Sequence, residues 1–510
     1  MNSVIRIALG NLWEHKSKTI ILGFLICLGV MLIILGTGFL ESTRRGLEKD
    51  FRANYCGDVV IHGPSPEKGQ VTLFGVTATV TVGSLPKTPA IPDTKGLLSL
   101  LEDVDGIAQK TTVISGLGLL NSEAVPEDFE VDEDQTANYP YFYYFAGDPK
   151  TYFEMFSKMK ILEGDYPSQT EPSVLMDIRL KNKFEKYYKI PLAVGDKVLV
   201  SAFAITGSQT LREVSISGFY EQPDPNTAIL ELCYMDPNTA RALSDLTYGS
   251  VYARELPETV DTSLSSLSED DLFALEAEIF DVSGNAVLEG GLKESDLDAI
   301  LGDTSLRDKL NQTDDGAWHY VVLKLSNPSS APIVIAKLNQ LFAEKGLNLK
   351  AIDWKAASYD FASTTDMLSG IFTILIVLLA VVVFIVIMNT LIVSTIERTG
   401  EIGTMRALGA GRGFIRKLFF AESISITLLA SIAGTVLALI LSAVINAIGF
   451  TVTNSTAKLL LGGGSISLTP TFSSIIATIL VILIGSAAAN IYPVSVALKI
   501  TPLKAMNQQS

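Results

Sequence analysis

Histidine and cysteine are nearly absent from this chain of 510 residues, with three of each. His15, His62 and His319 are scattered, no pair stands at metal-ligand spacing, and no Cys-x-x-Cys occurs. The ordinary zinc and dithiol-redox classes are therefore not signalled. Also missing are the patterns G-x-S-x-G, H-E-x-x-H and G-x-x-x-x-G-K-[ST], so neither a hydrolase elbow, a zinc-protease helix nor a nucleotide loop is indicated. "LGAGRG" (408–413) has the glycines of a phosphate cradle but lacks a preceding strand and a following Gly-Lys-Ser. It reads as a helix-ending turn. Charge is scarce too, at 18% of residues against 48% hydrophobic, and its balance is −16. A chain so acidic does not bind nucleic acid by counterion release.

What is abundant is apolar sequence, and it is concentrated. A membrane-crossing helix needs about 20 apolar residues, and four stretches qualify: 19–40, 368–396, 423–450 and 472–492. The first is too long in its apolar core for a cleaved signal peptide. Basic residues set the orientation. Arg6, Lys16 and Lys18 precede the first span, Arg398, Arg406, Arg412, Arg416 and Lys417 lie between the second and third, and Lys499 and Lys504 follow the fourth. The loop 451–471 carries only Lys458. Both termini and the 397–417 loop are thus expected in the cytoplasm of a multi-pass cytoplasmic (inner) membrane protein, with residues 41–367 outside. Cys27 falls in the first span. Cys56 and Cys233 fall outside, where a disulfide is permitted, and their spacing leaves open whether they pair.

Between the spans the pattern changes. Residues 1–18 place Val4, Ile5, Ala8, Leu9, Leu12 and Trp13 at helical spacing, an amphipathic helix on the inner surface. "ESTRRGLEKDFRANY" (41–55) continues the first helix outward, and "DWKAASYDFASTTDM" (353–367) extends the second span on the same side. Strand signals occur at 57–63, 71–83, 110–120, 172–177, 196–205, 213–220 and 227–235. Helices are expected at 93–104, 178–188 and 238–243. Residues 255–316 are an acidic, Ser- and Leu-rich insert, after which 320–354 read as strand, helix, strand. The expected fold class is an α-helical membrane protein of four spans with a large α+β extracytoplasmic domain between spans one and two. The tail is 493–510. The small-residue pairs Ala430/Gly434 and Gly485/Ala489 allow close helix contact, within the bundle or across a dimer face.

The segment "IERTGEIGTMRALGAGRG" (396–413) stands between two apolar runs. Glu397 and Glu401 are a like-charge pair four apart, which disfavours a free helix by about 0.2–0.5 kcal/mol, and Gly400 and Gly403 weaken it further. Ile402 and Met405 offer a small apolar ridge between the charges. A solvated inner loop explains the basic residues. It does not explain the glutamates or the ridge, which suit docking to a partner.

The stretch 389–423 resembles the signature of the FtsX/MacB-type ABC permease family, E-R-x-x-E-I-G-x-x-[RK]-A-x-G-A, here Glu397, Arg398, Glu401, Ile402, Gly403, Arg406, Ala407, Gly409 and Ala410. Residues 7–30, 161–200 and 492–506 are similar to other parts of that family, with Lys18 standing where arginine is usual. The resemblance implies an MacB-like periplasmic core and a permease subunit that holds no cofactor itself. ATP and Mg would sit on a separate ABC ATPase subunit, so the chain is not expected to be an enzyme. It implies a coupling helix in which Glu397, Arg398, Glu401 and Arg406 make polar contacts with that ATPase while Ile402 and Met405 fill an apolar notch. It further implies a second permease copy or paralogue, contact with membrane lipids, and an extracytoplasmic lipoprotein or adaptor as partner. Mechanotransmission would then export or extract a substrate such as a lipoprotein from the outer face. The alternatives are FtsX-like signalling to a cell-wall hydrolase, and efflux of an antibiotic or peptide.

Overall fold

The computed structural model describes residues 16–66, 69–77, 88–121, 141–168, 171–203, 209–222, 230–247, 312–397, 399–452 and 466–497, with residues 458, 461 and 464. The amphipathic helix expected at 1–18, nearly all of the acidic insert 255–316, the end of the tail, and Arg398 lie outside the described residues. In chain order, α1 is Lys16–Asn54, β1 Val59–His62, β2 Gln70–Thr72, β3 Gly75–Thr77, α2 Thr94–Leu100, β4 Ile107–Asn121 and β5 Tyr141–Gly147. Then come α3 Tyr152–Met155, β6 Lys160–Gly164, β7 Ser173–Asp177, α4 Ile178–Lys183, β8 Lys197–Phe203, β9 Gln209–Glu221, β10 Leu232–Met235 and α5 Pro237–Leu243. The last are β11 Tyr320–Leu325, α6 Ala331–Glu344, β12 Lys350–Asp353, α7 Tyr359–Glu397, α8 Thr399–Ala407, α9 Arg412–Ile448 and α10 Phe472–Ala497. The chain divides into two compact units: Met1–Tyr55 with Pro223–Leu230 and Ser358–Ser510, and Cys56–Gln222 with Glu231–Ala357.

The first unit holds four helices long and apolar enough to cross a membrane, α1, α7, α9 and α10. α1 and α7 have 39 residues each, about 58 Å at 1.5 Å per residue, so both outrun a hydrocarbon core of about 30 Å. The polar end of α1 stays helical because its charges pair one turn apart. Arg45 Nε donates to Glu41 at 2.8 Å and Arg52 to Glu48 at 2.7 Å, while Leu47 and Phe51 are buried. Phe51 stacks on Phe361 and Phe39 on Phe372, each at 5.5 Å, joining α1 to α7. Within the bundle α1 packs on α7, α9 and α10 through Ile26, Val30, Ile34, Ile387 and Ala438. Glycine permits the closest approaches: a Cβ on Gly434 would lie 2.5 Å from the carbonyl oxygen of Cys27. The segment between α9 and α10 is fastened by Ser42, whose Oγ lies 2.7 Å from Thr469 Oγ1, and by Asn446, which donates to and accepts from the backbone of Leu468.

The second unit is built on one ten-stranded mixed sheet, ordered β12-β1-β11-β4-β5-β10-β7-β9-β6, with β8 pairing β4 and β9. Helix α6 covers one end through Val334, Leu338 and Phe342, packed on Val59, Ile61 and Leu323. At the other end Leu120, Phe142, Val200, Ile216 and the α5 residues Ala240 and Leu243 share a second core. The edge at β12 is closed by a side chain: Asn339 donates to the Ala351 carbonyl at 2.9 Å and accepts from its N–H at 2.8 Å, which blocks further strand addition there. The expected fold class holds in both parts, four long apolar helices and an α+β domain between the first two.

Several details differ from the sequence reading. Residues 71–83 do not begin one strand; β2 and β3 form a hairpin turning at Leu73-Phe74, with Gly75 at φ +121°. Strands β5 and β6 had no signal. β5, "YFYYFAG", is apolar on both sides, so it lacks alternation, and β6 is mostly exposed. The helix that holds the expected third span, 423–450, begins earlier, at Arg412, with Ile415, Leu418 and Phe419 buried at helical spacing. The pairing that the sequence left open is decided as well: Cys56 and Cys233 are not joined, and all three cysteines are buried and free.

Candidate functional site

Helix α8 is nine residues long, follows α7 after a single residue, and ends at Ala407, two residues before Gly409. Gly409 has φ +98°, the left-handed conformation that glycine adopts without strain. The Ala410 N–H bonds the Met405 carbonyl at 3.0 Å and the Gly409 N–H bonds that of Arg406 at 3.1 Å. This is a Schellman stop, and it fixes where the chain leaves α8 before α9 begins at Arg412.

The helix has two unlike faces. Inward, Ile402 is 2% exposed and packs with Ile415 and Phe419 of α9 and Val494 of α10, with Met405 partly buried against the same cluster. Gly403 is buried beside it. Outward, Glu401 and Thr404 of α8 are exposed, as are Glu397, the last residue of α7, and Leu408, just past the end of α8. Leu408 is 89% exposed, an isolated aliphatic side chain at the tip of a charged row. Arg406 is half-buried, and Arg412, Arg416 and Lys417 on the first turns of α9 are exposed.

The structure therefore separates residues that the sequence reading grouped. Glu397 and Glu401 lie on the exposed face, Arg406 at its border. Ile402 and Met405 do not form an exposed ridge; the first is enclosed by the chain's own helices. The apolar residue that does face outward, Leu408, was missed, although helical spacing from Glu397 through Glu401 and Thr404 leads to it. Of the small-residue pairs, Ala430 and Gly434 pack inside the bundle against α1, and Ala489 is 1% exposed in the same core.

Elsewhere the buried titratable groups are structural. Asp177 accepts from the Arg179 N–H at 2.8 Å as the cap of α4 and is forked by the Arg179 guanidinium; burial still raises its pKa above the ordinary value of 3.8, against the pull of Arg179. Burial lowers that of His62. Arg241 donates to the carbonyls of Asp315 and Ala317 and stacks over Trp318. Among the described residues no group of three His, Cys, Asp or Glu side chains could hold a metal ion.

Comparison with known proteins places a family on this part of the chain. Residues 373–502 match the family model described as FtsX-like permease C-terminal. The macrolide export ATP-binding/permease protein MacB of Bradyrhizobium diazoefficiens is 41% identical over 96 residues, 18% of this chain and 15% of that protein. MacB of Bordetella avium is 31% identical over 131 residues, 26% of this chain and 19% of its own. The matches thus span less than a fifth of those relatives. Among solved structures, the periplasmic region of MacB from Actinobacillus actinomycetemcomitans aligns with 62% of this chain and 94% of its own at 8% identity and a TM-score of 0.26. The resemblance read from residues 389–423 thus extends over the membrane helices α7, α9 and α10 and the segment α8 between them.

Proposed function

We propose that the chain is the permease subunit of an ATP-driven ABC transporter, and that a separate ATPase subunit docks on the outward face of α8. The observation that carries this reading is the exposed pair Glu401 and Thr404 on α8, flanked by exposed Glu397 at the end of α7 and exposed Leu408 just before the Gly409 stop. These residues offer two carboxylates for basic side chains and, at one end, an aliphatic group for an apolar notch. Arg406 adds a cation at their border, and Arg398 stands next to Glu397 in the sequence. ATP and Mg would bind on the partner, whose closure displaces α8. The lengths of α1 and α7 suit mechanotransmission to the outer domain, so that export or extraction takes place at the outer face of the cytoplasmic membrane with both termini inside. A second permease copy or paralogue would complete the transporter, and an extracytoplasmic lipoprotein or adaptor would meet the outer domain.

The substrate reading has two branches. Lipoprotein release was favoured by the sequence. The matching relatives, macrolide export proteins by name, favour the efflux branch. Substrate stimulation of ATP hydrolysis distinguishes either from a signalling subunit.

The test is a mild-detergent pull-down of the tagged protein from native membranes, read by mass spectrometry. An ATPase should co-purify with the wild type and be lost from a Glu397→Lys/Glu401→Lys variant of normal abundance. An ATPase in neither sample, under conditions that keep a known complex intact, overturns the docking reading.

A further inference from the structure

We propose that the helix bundle binds a water molecule between the side-chain amide of Asn490 and the backbone carbonyl of Ala489, where Pro493 interrupts the internal hydrogen bonds of α10.

The donor is an orphaned amide. Three contacts show that α9 and α10 run antiparallel: Asn446 of α9 bonds Leu468 just before α10, Thr427 Oγ1 donates to Ser486 Oγ at 2.7 Å, and Ile415 and Phe419 pack with Val494. One turn beyond the Thr427–Ser486 bond, the same pairing sets Ser423 and Asn490 at one level. Both are buried, at 4% and 3% exposure, and Asn490 Nδ2 has no hydrogen-bond partner among the described residues. In a bilayer such a group is costly to leave unpaired. Ser431 and Ser442 also have buried hydroxyls without partners. A helical serine, however, can turn its hydroxyl to the carbonyl one turn earlier, as Ser425 does in the same helix. An asparagine amide has two N–H groups to place, and one carbonyl does not satisfy both.

The acceptor comes from the backbone. Pro493 stands inside α10, and proline has no N–H for the carbonyl four residues earlier. That carbonyl belongs to Ala489, which is 1% exposed. A spare donor and a spare acceptor therefore lie on adjacent residues. They do not bond directly, because the side chain leans toward the helix N-terminus while helical carbonyls point toward the C-terminus. Water accepts from the first and donates to the second. Ser423 supplies a third polar neighbour, within the two to four partners that a buried water takes. Ser423, Ser486 and Ala489 are small, which leaves room at this level. Hydrocarbon offers the amide no acceptor, and an ion would give up its hydration shell for a single amide. Ordered water is one means by which membrane helices tolerate proline, and a water-completed turn is where a helix bends. At 489–493, α10 is thus held in part by an exchangeable partner.

The test is a double-mutant cycle on the full-length protein in lipid nanodiscs, read as unfolding temperature. Leucine keeps the branched shape of asparagine without its donor, and Pro493→Ala returns an N–H to the Ala489 carbonyl. With a bridging water, Asn490→Leu strands that carbonyl and lowers the unfolding temperature by about 3 °C or more. In the Pro493→Ala background the loss should shrink to less than half. With an amide that is merely unpaired, its removal relieves a cost, and Asn490→Leu raises the unfolding temperature. That rise overturns the proposal. So does an equal fall in both backgrounds, which would show that Asn490 and Pro493 act separately. If Asn490→Leu yields no folded protein, Asn490→Ala takes its place under the same criteria. A cryo-EM map of the wild type that resolves waters elsewhere in the bundle gives an independent reading. A peak within about 3.2 Å of both Asn490 Nδ2 and the Ala489 oxygen is expected, and no peak there overturns the proposal.

Discussion

Leu408 shows how one side chain can be chosen by what it fails to touch. At 89% exposure it contributes almost nothing to the chain's own packing, and exposed substitutions away from special features change stability by within about 0.5 kcal/mol. Leu408→Asp is therefore expected to leave the unfolding temperature in place while lowering recovery of a co-purifying ATPase at least tenfold, measured by quantitative pull-down. Ile402, enclosed by Ile415, Phe419 and Val494, is the opposite case. Asp177 yields a different test. Burial raises its pKa above 3.8, so the folded protein binds that proton more tightly than the unfolded chain. Its contribution to stability is most favourable below 3.8 and declines as pH rises from there through the raised folded value. Asp177→Asn should flatten that part of the pH profile, read by urea unfolding of the full-length protein at a series of pH values. An unchanged slope would mean that the cost of burying the charge is offset by Arg179, 2.8 Å away.

Among the elements, the spans meet at glycines that can be ranked by the room around them. A Cβ at Gly434 would lie 2.5 Å from a backbone oxygen of α1, which cannot swing aside as a side chain could. A Cβ at Gly485 would meet nothing nearer than Phe384 at 3.8 Å, an ordinary contact. Gly434→Ala should thus destabilise the bundle by about 1–3 kcal/mol, the usual cost of overpacking, and lower the unfolding temperature in detergent. Gly485→Ala should be neutral within error. Equal effects at both sites would show that α1 and α9 shift freely, contrary to their packing. The α9–α10 contact is polar as well, with Thr427 donating to Ser486 at 2.7 Å, a bond worth about 0.6 kcal/mol in a membrane setting.

At the level of the whole molecule, the outer domain closes on itself around its insert. Thr247 bridges Thr313, the Asp314 N–H bonds the Leu246 carbonyl at 3.1 Å, and Arg241 donates to Asp315 and Ala317. The chain leaves and returns at one place, and loop-closure cost grows only slowly with length. Replacing residues 249–311 with a short Gly/Ser linker should therefore leave a monodisperse protein whose unfolding temperature stays within a few degrees, checked by size-exclusion chromatography and thermal unfolding. What the sequence determined by itself were features set by local composition against a strong outside constraint. Four spans follow from runs of about 20 or more uncharged residues, since a single apolar segment satisfies its own backbone in a bilayer as a helix, and the motif at 397–410 with its glutamates and glycine stop follows from residue type and spacing. The helical continuation at 41–55 was legible because Leu47 and Phe51 stand one turn apart with charges between them. What only the tertiary structure decided were the choices made by distant neighbours. Strand β5 is buried on both sides by elements far away in the chain, so no alternation announces it. Cys56 and Cys233 stay apart, because their separation depends on the order of strands in the sheet. And Ile402 turns inward because Ile415, Phe419 and Val494 come from two other helices to enclose it. Helical periodicity shows that a face is apolar; only the assembled bundle shows whether its own helices or a partner will cover it.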